Sequence, residues 1–287
     1  MKRNQRGVAL LLVMWACTLL AILLGGYAAL AHTEGLQASY QFQQTRAHYA
    51  AEAGLMRAIY AVQAPNNNDR WVTDGRIYPF AYDGAKVGVS VISESGKVDL
   101  NAASPDVLTN LFVNAGVDPT RASTLAQNIV NWRSFPMTPQ QTSQRAAAYA
   151  AAGRDYGPRN GPFASVEEVQ MVLGMDPALY ELIAPYVTIW SGRASPDPNT
   201  APLLALASVP GMNLQQAQAI IAARQASAAA SLATGLVGNN GITHSIRSEA
   251  VLADGTRAVL RVTVRLQGFR PGSQAFAVLR WQEGDGD

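Results

Sequence analysis

Residue types that commonly carry catalytic or metal chemistry are scarce in this chain. A single cysteine, Cys17, excludes an intramolecular disulfide and a cysteine-based zinc cluster. The three histidines, His32, His48 and His244, lie far apart and share no ligand spacing. His48 and Glu52 stand one helical turn apart, which on a helix surface makes an ordinary surface pair. Gly-x-Ser-x-Gly, P-loop and His-Glu-x-x-His patterns are absent, and no enzymatic reading survives. Oxygen ligands are the remaining metal chemistry. Asp99 with Asn101, and Asp155 with Asn160 in the loop 153–162, are the places a calcium ion would find part of its set of about six to eight oxygens. No Asp-x-Asp-x-Asp loop accompanies them, so solvated or capping side chains are the simpler reading.

Phosphate contact is the next chemistry to weigh. Ser208-Val209-Pro210-Gly211-Met212-Asn213, followed by Ala217, Ile220, Ile221 and Arg224, has the form of a helix-hairpin-helix. Val172-Leu173-Gly174-Met175-Asp176 is a looser second copy. In nucleic-acid-binding hairpins, backbone N–H groups and nearby basic side chains meet phosphate. Here Asn213 and Asp176 stand where a second glycine would, and Asp176 repels phosphate. Residues 99–225 hold seven arginines, no lysine and nine acidic residues. With Lys2, Arg3 and Arg6 set aside, 19 basic residues face 20 acidic ones in the rest of the chain. Bulk charge therefore gives no hold on nucleic acid.

The elements that position these residues begin at the N-terminus. Residues 1–7 carry three basic side chains, and 8–31 carry no charge. Twenty-four helical residues reach about 36 Å, enough to cross a hydrocarbon core. The basic cluster before this stretch sets the N-terminus in the cytoplasm and the body across the membrane. Three readings compete on these residues. A secretory signal could be cut at Ala29-Leu30-Ala31; a plain anchor would be kept whole; a prepilin leader would be cut after Gly7, as Arg6-Gly7-Val8-Ala9-Leu10 suggests. The next thirty residues favour a continuous helix. Ala47, Ala51, Leu55, Ala58, Ile59 and Val62 form one stripe, and no proline occurs before Pro65. A helix over 8–62 would be about 80 Å long, half in the membrane and half amphipathic.

At 287 residues, 48% hydrophobic and 15% charged, the rest of the chain is long and apolar enough for packed domains. Pro65-Asn66-Asn67-Asn68-Asp69 ends the long helix, and 70–85 reads as an irregular loop with Gly75, Pro79 and Gly84. Residues 86–93 read as a strand, and 97–100 as an extension of it or a partner to it. Residues 99–234 read as an all-helical insertion. Its candidate helices are 105–115, 119–133, 139–151, 165–173, 177–186, 201–207 and 213–229, several opening on Ser, Asp or Thr followed by Pro. Glu167 and Glu168 would lie in the first turn of the helix starting at Ser165. Strands return over 243–252, 257–266 and 274–281, joined by turns at Asp254-Gly255 and Pro271-Gly272. The chain is α+β: one long helix on an antiparallel sheet of four strands, interrupted by helices.

Taken in order, several segments make the chain resemble the protein K family of the type II secretion system, which are minor pseudopilins. They are Gly7-Val8, Ala50-Ala51-Glu52-Ala53-Gly54-Leu55, Gly96-Lys97-Val98-Asp99-Leu100-Asn101, Phe163 to Val169, Leu182 to Thr188, Asn199-Thr200-Ala201 and the C-terminal strands. The resemblance implies a pseudopilin fold: a leader (1–7), a transmembrane half-helix (8–31), an amphipathic half with the first strands (32–98), a helical insertion with hairpin-like units (99–234) and closing strands (235–287). It implies cleavage by a prepilin peptidase between Gly7 and Val8, and N-methylation of Val8. Most pilins carry glutamate at the fifth residue after the cut; Leu12 stands there, as is usual in protein K. An unpaired carboxylate in lipid costs several kcal/mol, and a subunit with nothing above it has no amine to offer as partner. The expected place is the tip of a periplasmic pseudopilus, where the subunit helps initiate and cap assembly for export of folded proteins across the outer membrane. Expected partners are other minor pseudopilins, the major pseudopilin below and the inner-membrane assembly platform. The stripe Ala47, Ala51, Leu55 and Ala58 would pack on sister subunits or on its own sheet. No cofactor is required, although calcium-bound members occur in the family. Two alternatives stay open: a membrane-anchored DNA-binding protein of an uptake machine, and a minor pilin of a type IV pilus.

Overall fold

The computed structural model describes residues 6–64, 69–227, 242–267 and 274–284. Helix α1 runs unbroken over Arg6–Val62, about 85 Å at the usual rise. Its first half is apolar on all sides and exposed throughout, the form of a helix made for lipid. The Thr18 hydroxyl donates to Met14 O at 3.0 Å, so even this polar group is satisfied within the helix. In the second half one face is buried: Ala47, Ala50, Ala51, Leu55, Ala58, Ile59 and Val62.

That face lies on a five-stranded antiparallel sheet. Strands β1 (Asp74–Tyr82), β2 (Ala85–Ser93), β5 (Thr243–Val251), β6 (Arg257–Leu266) and β7 (Phe276–Glu283) pair in the order β1-β2-β5-β6-β7. The inner face carries Val87, Val89, Val91, Ile246, Ala250, Leu260, Val262 and Val264. Gly54 sits where helix and sheet come closest. A Cβ there would overlap Ser248 Oγ and lie 2.9 Å from the γ-carbons of Val87 and Val89.

Between β2 and β5 the chain builds a second core from α2 (Pro105–Asn114), α3 (Pro119–Arg133), α4 (Pro139–Ala151), α5 (Pro177–Ile183), α6 (Leu203–Ala207) and α7 (Leu214–Ser227). Two short strands, β3 (Val98–Asp99) and β4 (Val187–Thr188), pair in parallel beneath them.

Several expectations need correction. The segment 70–85 is not a loop: β1 occupies most of it. As an edge strand it tolerates Pro79, which has no N–H to give to a ladder. The run 97–100 neither extends β2 nor pairs with it; β3 joins β4 instead. The sheet thus has five strands rather than four. The expected helix 165–173 is a 3-10 turn over Glu167–Met171, with Val166 rather than Ser165 at its cap. The expected helix 177–186 stops at Ile183 and tightens into 3-10 geometry over Ala184–Tyr186, where Pro185 interrupts it. In β7 a bulge interrupts the simple alternation of a strand over 274–281: Val278 pairs with Val264 but Arg280 with Thr263, so the two lie on opposite faces. The break at 65–68, the turn Pro271-Gly272, residues 228–229 and the boundary at 234 fall outside the described residues, as do residues 1–5.

Two contacts orient the body along α1. Arg46 Nη2 meets Asp83 Oδ2 at 3.2 Å and Asp83 O at 3.0 Å, which sets the β1–β2 turn at the membrane-proximal end. At the other end Trp71 N donates to Ala61 O and Ser93 N to Thr73 O, both at 3.1 Å. The insertion departs from Ser93 and returns at Thr243, and Ser93 pairs with His244. It therefore stands on the membrane-distal end of the sheet.

Candidate assembly surfaces

Gly7 and Val8 lie in the first turns of α1, so the expected cleavage junction is helical backbone. Leu12 is exposed on the membrane half. Ala47, Ala51, Leu55 and Ala58 are all buried against the chain's own β2, β5 and β6. Of the two packing roles weighed for them, the structure occupies the intramolecular one. The opposite face of α1 exposes Phe42, Tyr49, Met56 and Tyr60, at steps of seven, seven and four residues. At that spacing they form a single outward stripe.

Three Gly-hydrophobic-Asp/Asn turns join helix pairs in the insertion. Gly116, Gly174 and Gly211 all adopt positive φ, which favours glycine. Asp118 Oδ1 accepts from Thr120 N at 2.9 Å and so caps α3. Asp176 Oδ1 accepts from Leu179 N at 2.8 Å, and its Oδ2 meets Arg121 Nη2 at 2.6 Å. The Leu179 N–H and the guanidinium hold this carboxyl below the usual aspartate range. Asn213 and Gln216 cap each other at the start of α7. Each helix start is closed by the chain's own side chain, at the place where a phosphate would sit in a nucleic-acid-binding hairpin. The first unit, Gly116-Val117-Asp118-Pro119, escaped the sequence reading, although it repeats Gly174-Met175-Asp176-Pro177.

The calcium candidates do not fit a metal. Asp99 is 1% exposed, and both its oxygens are committed. Oδ1 accepts from Asn101 N and Ala102 N, and Oδ2 from Ser191 Oγ and Gly192 N. Asn101 closes a two-way bond with Phe163, its Oδ1 accepting from N and its Nδ2 donating to O. Asn160 Oδ1 faces a cation, accepting from Arg145 Nη1 at 3.2 Å. Asp155 is exposed, and no group of three His, Cys, Asp or Glu converges among the described residues.

The joint between insertion and body is also polar. Glu94, 1% exposed, accepts from Lys97 Nζ at 2.7 Å and Ser245 Oγ at 2.6 Å. Asp197 N donates to Ser95 O at 2.8 Å. Gly96 packs on the backbone of Thr200 and Ala201, where a Cβ would come within 2.7 Å. Glu167 meets Arg280 on β7 at 2.6 Å. Burial raises the Glu167 pKa, but its hydrogen bonds and the Arg280 charge outweigh this and lower it. Glu168 instead turns inward, accepting from Trp132 Nε1 and Ala164 N. The long-range pair Glu167–Arg280 had no signal in the local sequence.

A family model described as "Type II secretion system (T2SS), protein K" matches residues 88–192, from β2 across the first part of the insertion. The type II secretion system protein K of Klebsiella pneumoniae is 29% identical over 264 residues, covering 81% of this chain and 79% of that one. A chain from the crystal structure of the GspK-GspI-GspJ complex of enterotoxigenic Escherichia coli superposes with a TM-score of 0.57. It is 16% identical and covers 87% of this chain and 100% of its own. The chain is thus similar to protein K of the type II secretion system along most of its length. Its architecture is the α+β pseudopilin fold, and the similarity supports a minor pseudopilin role in protein secretion. Protein K is a structural component of that system, and α1 fits a single-pass membrane anchor.

Proposed function

We propose that this chain is the tip subunit of a type II secretion pseudopilus, helping to start and to cap its assembly for export of folded proteins. One observation carries the reading: the insertion stands on the membrane-distal end of the spine-and-sheet body, where it widens the subunit and obstructs stacking of another above it. Leu12 supports the same place, because a terminal subunit has no neighbouring amine to pair with a carboxylate at that depth. The subunit is held in the bacterial inner membrane by α1, its N-terminus cytoplasmic because Lys2, Arg3 and Arg6 flank the span on that side, and its body periplasmic. A prepilin peptidase cuts between Gly7 and Val8, and the new amine is methylated. The role is non-enzymatic and needs no metal.

Sister minor pseudopilins are the proposed partners, supported by the solved complex of GspK with GspI and GspJ and by the outward stripe Phe42, Tyr49, Met56 and Tyr60. The major pseudopilin lies below, and the assembly platform engages the membrane half. The test is purification of the full chain from membranes of cells with an active secretion system. The expected product begins at methylated Val8 and carries sister minor pseudopilins, with a single copy of this chain in each assembly. A chain beginning at His32, or one repeated along the filament like a major subunit, overturns the reading.

A further inference from the structure

We propose that the seam between insertion and body is an acid-sensitive hinge: the insertion is locked to the sheet at neutral pH and swings free when His244 takes a proton, with both cores still folded. The device belongs to the fold of this chain and does not depend on the tip placement. Its axis is a pair of strand ends. The insertion leaves the sheet after Ser93 and rejoins it at Thr243, and Ser93 faces His244 at the last rung of the β2–β5 ladder. The insertion core and the body core share no residue. Polar bonds cross between them: Ser245 Oγ donates to Glu94 Oε1, and Arg280 Nη2 to Glu167 Oε1, both at 2.6 Å. Parts of a chain joined by a small polar interface move relative to one another unless something locks them.

His244 sits inside this hinge. It is 3% exposed and lies opposite Val264 of β6, on the sheet face that carries Ile246 and Ala250. Neither ring nitrogen has a hydrogen-bond partner among the described residues, and neither does Glu94 Oε2. Charges around the ring are few. The buried face of α1 ends in Ala58, Ile59 and Val62, and β2 presents Val89, Val91 and Ser93 on that side. On β6, Arg265 pairs opposite Thr243 and is exposed. On the strand of His244 itself, Arg247 is held by Glu249 on the outer face of the sheet. The turn after β2 brings Glu94, with Lys97 Nζ at 2.7 Å from its Oε1.

A neutral ring leaves one N–H unanswered at this site, whereas an imidazolium adds a second N–H and a charge. Glu94 is the counter-charge within reach, and it is already shared between Lys97 and Ser245. Burial outweighs its pull and holds the ring's pKa down to about 4. In an opened seam the ring meets water and returns to about 6.5. The closed seam is therefore favoured in full above pH 6.5 and loses ground as pH falls toward 4. The rung that covers His244 is also the root of the insertion. Opening there releases the insertion while Val91, Ile246 and the rungs behind them stay paired, a smaller event than unfolding either core.

The test uses the full chain in detergent with Cys17→Ser, spin-labelled at Ala81 on β1 and Ser123 on α3, both exposed. One distance is expected at pH 7.5 and a second population at pH 5. Hydrogen exchange, corrected for the pH dependence of its chemical step, reports the opening itself. Ser93 N, which donates to Thr73 O, and Lys97 N, which donates to Glu94 O, should open about 30-fold more at pH 5 than at pH 7.5. Amides of α3, whose core excludes His244, should keep their corrected rates. His244→Leu and His244→Gln, neither of which can take the proton, should each hold the pH 7.5 behaviour at both pH values, and the folded one decides if the other does not fold. A single distance in the parent at pH 5 overturns the proposal. So does a rise in exchange shared by α3, which would be general unfolding, or a second population that persists in a folded neutral variant.

Discussion

His244 is 3% exposed, and neither ring nitrogen has a hydrogen-bond partner among the described residues. Burial holds its pKa down to about 4, against a smaller upward pull from the Glu94 charge. The unfolded chain, with an ordinary value near 6.5, therefore binds more protons than the folded one between pH 6.5 and 4. Stability is complete above about pH 6.5 and is lost as pH falls toward 4. Between pH 7.5 and 5 the loss should be about 2 kcal/mol. Urea unfolding of the full chain in detergent at both pH values measures it. His244→Leu should flatten the difference, and a variant that keeps the parental slope would exonerate this histidine. The carboxyls held low by arginines, Glu249 and Asp74 among them, act with the same sign but below their ordinary range, so they leave this window clear. Asp99 makes a second case at this scale. Its four accepted hydrogen bonds predict that Asp99→Asn costs about 3 kcal/mol, since an amide replaces one acceptor by a donor facing donors. Calcium or a chelator should leave the parental melting temperature where it is; a calcium-dependent rise would show that ligands are recruited from elsewhere.

At the scale of elements, the helix starts are where local sequence and observed structure agree best. Ser104, Asp118, Thr138 and Asp176 each precede a proline, and each accepts a backbone N–H at a helix start. Asp176→Ala should therefore lower the melting temperature by about 2–4 °C, nearly all from the lost cap. The exposed ion pair to Arg121 contributes little beyond that. A loss well above this value would mean the pair, rather than the cap, holds the hairpin. The long helix was legible for a different reason: residues 8–62 contain no proline and keep one apolar stripe. Strand β1 looked like a loop because Gly75 and Pro79 are poor strand formers, and the two-residue turn Asp83-Gly84 that folds it onto β2 went unread as a hairpin signal. Elements set by distant partners were not legible. The pair β3–β4 joins segments almost ninety residues apart and is only two residues deep. Of the candidate site, Leu12 and the buried stripe could be found by position and period. The calcium candidates could not be rejected without seeing where Ser191, Gly192 and Phe163 arrive.

The whole molecule consists of two cores on one anchor, joined through a narrow seam. The body core lies between α1 and the sheet; the insertion core begins at Val98 and includes no residue of α1. Ser93 and His244 face each other in an antiparallel ladder, so the two ends of the insertion lie as close as the ends of a hairpin. A turn of about two to four residues could join them directly. Replacing 94–243 by such a turn, with Asn-Gly at its centre, should leave a body that is still inserted, still processed before Val8 and still resistant to protease along α1 and the sheet. The buried Glu94 and its partner Lys97 would leave together, so neither charge is left unpaired; the Glu167–Arg280 pair is partly exposed, and the apolar packing of the body is untouched. The shortened chain should no longer cap: with its membrane-distal end cleared it presents the sheet end to a further subunit. Copy number in purified assemblies reads this out, and a rise above one would locate the capping role in the insertion. If the shortened body cannot be recovered folded, the two cores are interdependent, and the seam carries more of the stability than its contacts indicate.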